Sequence, residues 1–530
     1  MIRLLATSAV ALIAGAAPVL AELTPAQVWD SLESYYTAMG YKVEVGQRDE
    51  SGDTLTVSDI TLSPPAADTA STTTITVPKM ILQQTGDAKV RTMIEGDTLI
   101  DSITTPPEGE PVEFDATVSL PDNEMISSGT PDAMTHEVVY PQIKVAATFT
   151  GGAAQDGKAP LTILLNDVKG RQQNQDGTAG RITYDLSAAG VDIALSAKEP
   201  VQQDGSGGTG QIDASGNVTD LTASGWMQMP SDAPSEPQAL NSALASGMAL
   251  DGTLTMGRVS GEFVFSGQDE DGQPQDGKAS YAAGPSSMAF SMSKDGLGYE
   301  GSGKNSAVEM TLGSLPFPIT YAVAETSAKM MLPVTASDQP QPFTLAYSLS
   351  GLTMGDAIWG LFDPQAKLPR DPASLTVDLS GNALVGRDLL DPALAEKMQR
   401  EQDPAASGDL AAGNPADQPA GPDMPFAPQD LTINRIALDA VGAKADLTGQ
   451  LAFGDTPNEP VGKIQGSFTG LNTLLETLSA MGLLPQEQLM ATRMMLAMFA
   501  RPSDSDPETM TTEIEFREGG SIFANGQQVK

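Results

Sequence analysis

Apolar and polar residues alternate along much of this chain, and that rhythm constrains its fold more than any other feature. Val112, Phe114, Ala116, Val118 and Leu120 fall on one side of an extended backbone, while Glu113, Asp115, Thr117 and Ser119 fall on the other. Ile182, Tyr184, Leu186 and Ala188 repeat the pattern, as do Val191, Ile193, Leu195 and Ala197, and later Ala445, Leu447, Gly449, Leu451 and Phe453. A period of two over such runs predicts strands with one buried face, because successive side chains of an extended chain point to opposite sides. The expected fold is mainly β: extended, twisted antiparallel sheet that either folds onto itself or curls into a groove.

Turn chemistry agrees. Gln-Asp-Gly occurs at Gln155–Gly157, Gln175–Gly177, Gln203–Gly205 and Gln275–Gly277, and Asp-Gly suits tight hairpins that require positive φ. Residues 55–62 (LTVSDITL) and 431–438 (LTINRIAL) share apolar positions at offsets 1, 3, 6 and 8. The facing parity therefore flips midway, which predicts a β-bulge in each.

Helical spacing is confined to a few places. Thr24, Pro25 and Gln27 form a capping-box start with proline at the first turn, and Val28, Trp29, Leu32, Tyr35, Tyr36 and Met39 supply an apolar stripe ended by Gly40. Leu471, Leu474, Leu475, Leu478 and Met481 make a second stripe closed by Gly482, and a further helix opens at Pro485 and stops at Arg501–Pro502. These two predict a carboxyl-terminal helical hairpin. Shorter helices are expected near 238–247, 356–362 and 392–400.

Residues 1–21 carry Arg3, an apolar run, and Val19 and Ala21 spaced for cleavage. This is the layout of a signal peptide cut after Ala21, which implies a periplasmic or secreted mature chain. No later segment reaches membrane-spanning length. The chain has no cysteine, so neither disulfides nor thiol chemistry contribute. With 68 acidic against 29 basic residues and a net charge of −39, the surface repels phosphate backbones, which argues against nucleic-acid binding. The Pro-, Ala- and Gly-rich stretch 401–430 reads as a linker or long loop. It divides a large β-rich region (22–400) from a carboxyl-terminal β segment with the helical hairpin (431–530), or else interrupts one continuous sheet.

Motifs for known chemistries fail on inspection. His136 lies in THEVVY, where Tyr140 stands in place of a second metal-binding histidine, leaving an ordinary loop or strand-edge residue. GYEGSGKN (298–305) imitates a phosphate loop but ends in Asn305 between strand-like flanks, so a hairpin turn is expected. Gly205, Gly207 and Gly210 form an isolated glycine pattern, and QDEDGQPQDG (268–277) lacks the spacing of a calcium loop. No catalytic residue, metal ligand or cofactor is assigned. Met490, Met494 and Met498, spaced i, i+4, i+8, either pack into a core or form an adaptable apolar contact face.

The leader and the following TPAQVWDSLESYY, the block WGLFDPQAKLPRDPASLTVDLSG (Trp359–Gly381), GLNTLLETLSAMGLLPQEQ (Gly470–Gln488) and GGSIFANGQQV (Gly519–Val529) together resemble an exported proteobacterial family, domain of unknown function 2125. That family has no assigned activity, so the resemblance implies no catalytic residue. Its shared pairs read as structural: Asp363–Pro364 and Asp371–Pro372 as turns or caps, Asn525–Gly526 as a hairpin turn. A looser similarity is to envelope proteins built as curled antiparallel sheets with an apolar groove, some of which handle lipids. The functional expectation is an exported, non-catalytic protein that binds a hydrophobic ligand or lipid along a sheet groove. The alternatives are a structural or partner-binding envelope protein without a ligand, and a hydrolase using paired carboxylates.

Overall fold

Among the described residues the alternating runs become 26 strands of one sheet, and the pairings between them are antiparallel. This computed structural model describes residues 23–65, 71–105, 111–151, 159–175, 180–198, 210–230, 240–268, 273–391, 394, 425–454, 459–503, 506 and 508–530. The sheet advances strand by strand along the sequence from Lys42–Ser51 at one edge to Gln527–Gln528 at the other. Twice the ladder forks. Ser71–Gln84 pairs with both Val90–Glu95 and Thr98–Thr104, these pair with Glu124–Thr130 and Val112–Ser119, and both of the latter meet Ala133–Gly151. The same topology recurs with Gln211–Gln228 and Gly296–Leu312 as the long strands, and four short strands between them.

A crease crosses the strands near their middles. Asp59, Asp167, Asp220 and Asn305 adopt left-handed φ values of 50–54°, which Asp and Asn tolerate better than other side chains. Gly351 continues the line with φ 69°. Across it the apolar step lengthens from two residues to three: Tyr140 to Ile143, Leu165 to Val168, Ala188 to Val191, Val218 to Leu221. Those side chains nevertheless pack in one cluster, so the left-handed residues keep both halves of each strand greasy on the same side. The forks place their hairpin turns along the same line, at Gly257 and Gly284 for example. The parity flip read at 431–438 is a true bulge, because Asn434–Arg435 shifts the register against both neighbours. At 55–62 the register is unbroken and left-handed Asp59 alone makes the switch.

Helix α1 (Pro25–Ala38) starts as expected. Thr24 Oγ1 accepts from the Gln27 backbone at 3.3 Å and the Gln27 side chain accepts from the Thr24 backbone at 3.0 Å. Val28 and Trp29 enter a core with Leu55, Val57, Leu82, Val90 and Met134, so the first strands curl around α1. Helix α2 (Leu240–Ala245) falls within 238–247, and α3 (Asp356–Phe362) coincides with its expected span. Helices α4 (Leu471–Ala480) and α5 (Gln486–Phe499) form the hairpin. The expected helix 392–400 lies almost wholly outside the described residues. So does 401–424, but a strand begins at Phe426, inside the stretch read as linker, because Phe426–Asp430 pairs with Asn382–Val385. The strands on either side of that stretch, Ala373–Val385 and Phe426–Ala440, are direct neighbours.

Two turn expectations are corrected. Asp276–Gly277 is no tight hairpin centre, since neither residue has positive φ and Gly277 opens a strand; the other three Gln-Asp-Gly copies fall wholly or partly outside the described residues. GYEGSGKN is not a turn either, as it lies inside the strand Gly296–Leu312. Asn525–Gly526, by contrast, is a left-handed pair with φ 48° and 83°, as its hairpin role requires.

Candidate functional site: an open apolar face

Following the register from strand to strand shows which side chains share a face. One row runs through Tyr184, Gly225, Gly252, Phe290, Tyr299 and Met330, then Leu345, Leu379, Ile433, Gly449, Ile464, Ile514 and Ala524. Apart from the Tyr184 and Tyr299 hydroxyls it holds no polar side-chain group. The row two residues away on the same face reads Ile182, Met227, Leu250, Met292, Leu297 and Leu332, and continues as Phe343, Gly381, Leu431, Leu451, Gly462, Phe516 and Ile522. The row between them, on the other face, is mostly polar: Thr183, Asp251, Ser291, Thr344, Ser380, Thr432, Gln450, Lys463 and Glu515. At 4.7–4.9 Å between strands, the thirteen strands of the first row span about 58 Å.

Glycines in these rows make room for rings. A Cβ on Gly225 or Gly252 would stand 2.7 or 2.8 Å from the Tyr184 hydroxyl, and one on Gly381 would stand 2.9 Å from the Phe343 ring. The rings thus lie flat over glycine and smooth the face. This apolar surface is open: Phe290 is 45% exposed, Leu345 46% and Tyr347 41%. At the crease the same face is shielded, with Val168, Ala188 and Val191 at 9, 5 and 8%. These buried side chains pack with Tyr140, Ile143, Ile163, Leu165, Val218 and Leu221 along that face. We term the open stretch of this apolar face the trough.

Two cavities beside helices adjoin this face. At the amino-terminal end, a cavity of about 840 Å³ lies between α1 and the strand ends, with Ile182 and Met227 of the apolar row in its wall. Midway along the row, a cavity of about 350 Å³ beside α3 is lined by Leu349, Leu352, Leu375, Leu438 and Trp359. Asp363 closes α3: it is 1% exposed and accepts from the backbones of Lys367 at 2.9 Å and Leu368 at 3.0 Å. Burial pushes its pKa up, but those bonds together with Arg370 and Lys367 leave it below the usual carboxylate value. Arg370 stacks over Trp359 at 5.4 Å and pairs with Asp356 at 2.7 Å. The Asp363 part of the WGLFDPQAKLPRDP block thus serves to hold α3 on the sheet.

His136 is not at a strand edge. It lies within Ala133–Gly151, 4% exposed, with Nδ1 at 2.8 Å from Ser127 Oγ, and burial lowers its pKa. The methionines of α5 do not fill a core, since Met490, Met494 and Met498 are 63, 68 and 52% exposed and Met495 beside them is 57%. Leu489 is the side of α5 that is buried. Of the glycine pattern only Gly210 is described, immediately before a strand, and the acidic run 269–272 lies outside the described residues. Among the described residues no three His, Cys, Asp or Glu side chains stand together as a metal set, and no helix is long and apolar enough to cross a membrane. Glu513 and Glu515 share Lys463 on the outer, polar face.

The trough itself was only partly visible beforehand, because alternation shows that a strand has two unlike faces but not which strands align them. No curated protein and no solved structure matches the chain. Residues 275–523 match the family described as uncharacterized protein conserved in bacteria, domain of unknown function 2125. The match includes the blocks Trp359–Gly381 and Gly470–Gln488 and stops short of the amino-terminal helix. Over residues 275–523, therefore, this chain is similar to the bacterial family of domain of unknown function 2125.

Proposed function

We propose that the protein is an exported, non-catalytic carrier that holds the hydrocarbon chains of lipids against the apolar face of its sheet. The observation behind this reading is the pair of parallel apolar rows, uninterrupted by charge, in which Phe290, Tyr299 and Leu345 are more than a third exposed. Exposed apolar surface on that scale marks an interaction site, and a hydrocarbon chain asks nothing of it but apolar area. The signal-like segment 1–21, with cleavage after Ala21, supports a periplasmic or secreted setting.

Two measurements on the purified mature chain test the proposal. Native mass spectrometry should show adducts of lipid mass on material purified without detergent. N-phenyl-1-naphthylamine, a probe that brightens in apolar surroundings, should bind saturably and be displaced by fatty acyl compounds. A ligand-free spectrum together with no probe brightening would refute the carrier.

A second reading, a structural or partner-binding envelope protein, is favoured by the exposed methionines of α5 alone. It predicts crosslinking through Met494 to a stoichiometric protein partner in cells, and charge substitution at Met490 and Met494 abolishing that crosslink.

A further inference from the structure

The apolar rows do not end bluntly at the α1 side; they turn polar. Beyond Tyr184 its row continues through Gln172, His136 and Ser127, and beyond Ile182 the next residue is Asn174. Gln172 Nε2 donates to Asn174 Oδ1 at 2.9 Å. The cavity of about 840 Å³ opens here, between this polar end of the sheet and the side of α1 that carries Gln27, Ser31 and Ser34. Ile182 and Met227 belong both to its wall and to the apolar row, so the cavity and the trough are continuous.

The charges in the wall are few and engaged or acidic. Asp30 pairs with Arg48 at 3.3 Å, Arg181 lies over the Trp226 ring at 4.1 Å, and Asp132 adds a second carboxylate. The one cation in the wall is already stacked on an indole, whereas hydroxyl and amide side chains offer both donors and acceptors. Resting on the carrier reading above, we infer that the α1 cavity is a headgroup site for an amphiphile whose head is uncharged and rich in hydroxyls, such as a glycerol ester, with its tail laid along Ile182 and Met227 into the trough. The polar pole fixes which way the guest lies.

The test displaces N-phenyl-1-naphthylamine from the full mature chain with three competitors of one chain length: dodecane, laurate and glycerol monolaurate. The glycerol ester should displace the probe at about tenfold lower concentration than laurate, a difference worth about 1.4 kcal/mol. Ser34→Arg, on the cavity side of α1, should reverse that order by supplying a cation. Asn174→Leu should reduce the preference for the ester without favouring laurate, so a fold defect in one variant leaves the other to decide. Probe binding with no preference among the heads, or a preference that neither variant alters, would overturn this inference alone. Absence of probe binding would overturn the carrier reading and this inference together.

Discussion

Leu345 stands in the middle of the apolar row, between Met330 and Leu379, and 46% of it is exposed. Fully burying a leucine is worth about 1.5–3 kcal/mol, so covering the exposed remainder contributes about 0.7–1.4 kcal/mol to holding a guest. Leu345→Ala should therefore weaken binding of an acyl probe about three- to tenfold. Leu345→Asp should weaken it further, because the guest would then strip water from an unpaired carboxylate. Stability should respond differently. An exposed position without a covering layer tolerates a polar residue within about 0.5 kcal/mol, so the urea midpoint of Leu345→Asp should stay close to that of the parent. Probe titration and urea unfolding on the same preparations read both quantities. If Leu345→Asp sharply lowers the urea midpoint, or leaves probe affinity intact, the face is not an open binding surface and the reasoning fails.

Other consequences follow from the same geometry. Trp29→Ala removes the largest side chain that α1 places in the amino-terminal core and should cost about 3–5 kcal/mol, read as a lower urea midpoint with altered near-ultraviolet circular dichroism. At the crease, Asp167→Gly should be neutral or slightly stabilising, whereas Asp167→Val forces a β-branched residue to φ 50° and should cost about 1–2 kcal/mol or more; equal stabilities would contradict the crease. His136 is held neutral by burial, with its pKa below the ordinary 6.5. The unfolded chain then takes up a proton that the folded chain refuses, so this stability is present above about pH 6.5 and is lost as pH falls, at no more than about 1.4 kcal/mol per pH unit. His136→Gln should flatten that part of the melting profile between pH 7 and 5, and an unchanged profile would show that the histidine is not buried neutral.

What the sequence disclosed was local. Period-two runs, the Thr24–Gln27 box and the stripe closed by Gly482 each report on a few neighbouring residues, and each became the expected element. The crease was legible in the same way wherever an apolar step of three straddles an Asp, Asn, Gly or Pro. It shows at Asp59, where the parity of 55–62 flips, but not at Ala189–Gly190, where the runs 182–188 and 191–197 read as separate strands although they form one. The trough is a different kind of fact. Tyr184, Phe290, Leu345 and Ile464 share a row only because successive hairpins keep register, and no single strand records that. The glycines in GYEGSGKN misled for a related reason: turn chemistry explains glycine locally, while here Gly301 makes room for the Tyr299 ring of its own strand. The α5 methionines show the limit of spacing, which cannot say whether a helical stripe meets a core or solvent.

The central claim is that one face of this sheet, and only one, carries apolar guests. Photo-crosslinking answers it directly: a fatty acid bearing a diazirine in its chain is bound to the purified mature protein, irradiated, and its adducts mapped by peptide mass spectrometry. Adducts should fall on alternate residues, at Met288, Phe290, Leu345 and Tyr347, and spare Ala289, Thr344, Ala346 and Lys329 between them. Adducts spread over both parities, or confined to the α5 methionines, would contradict the account.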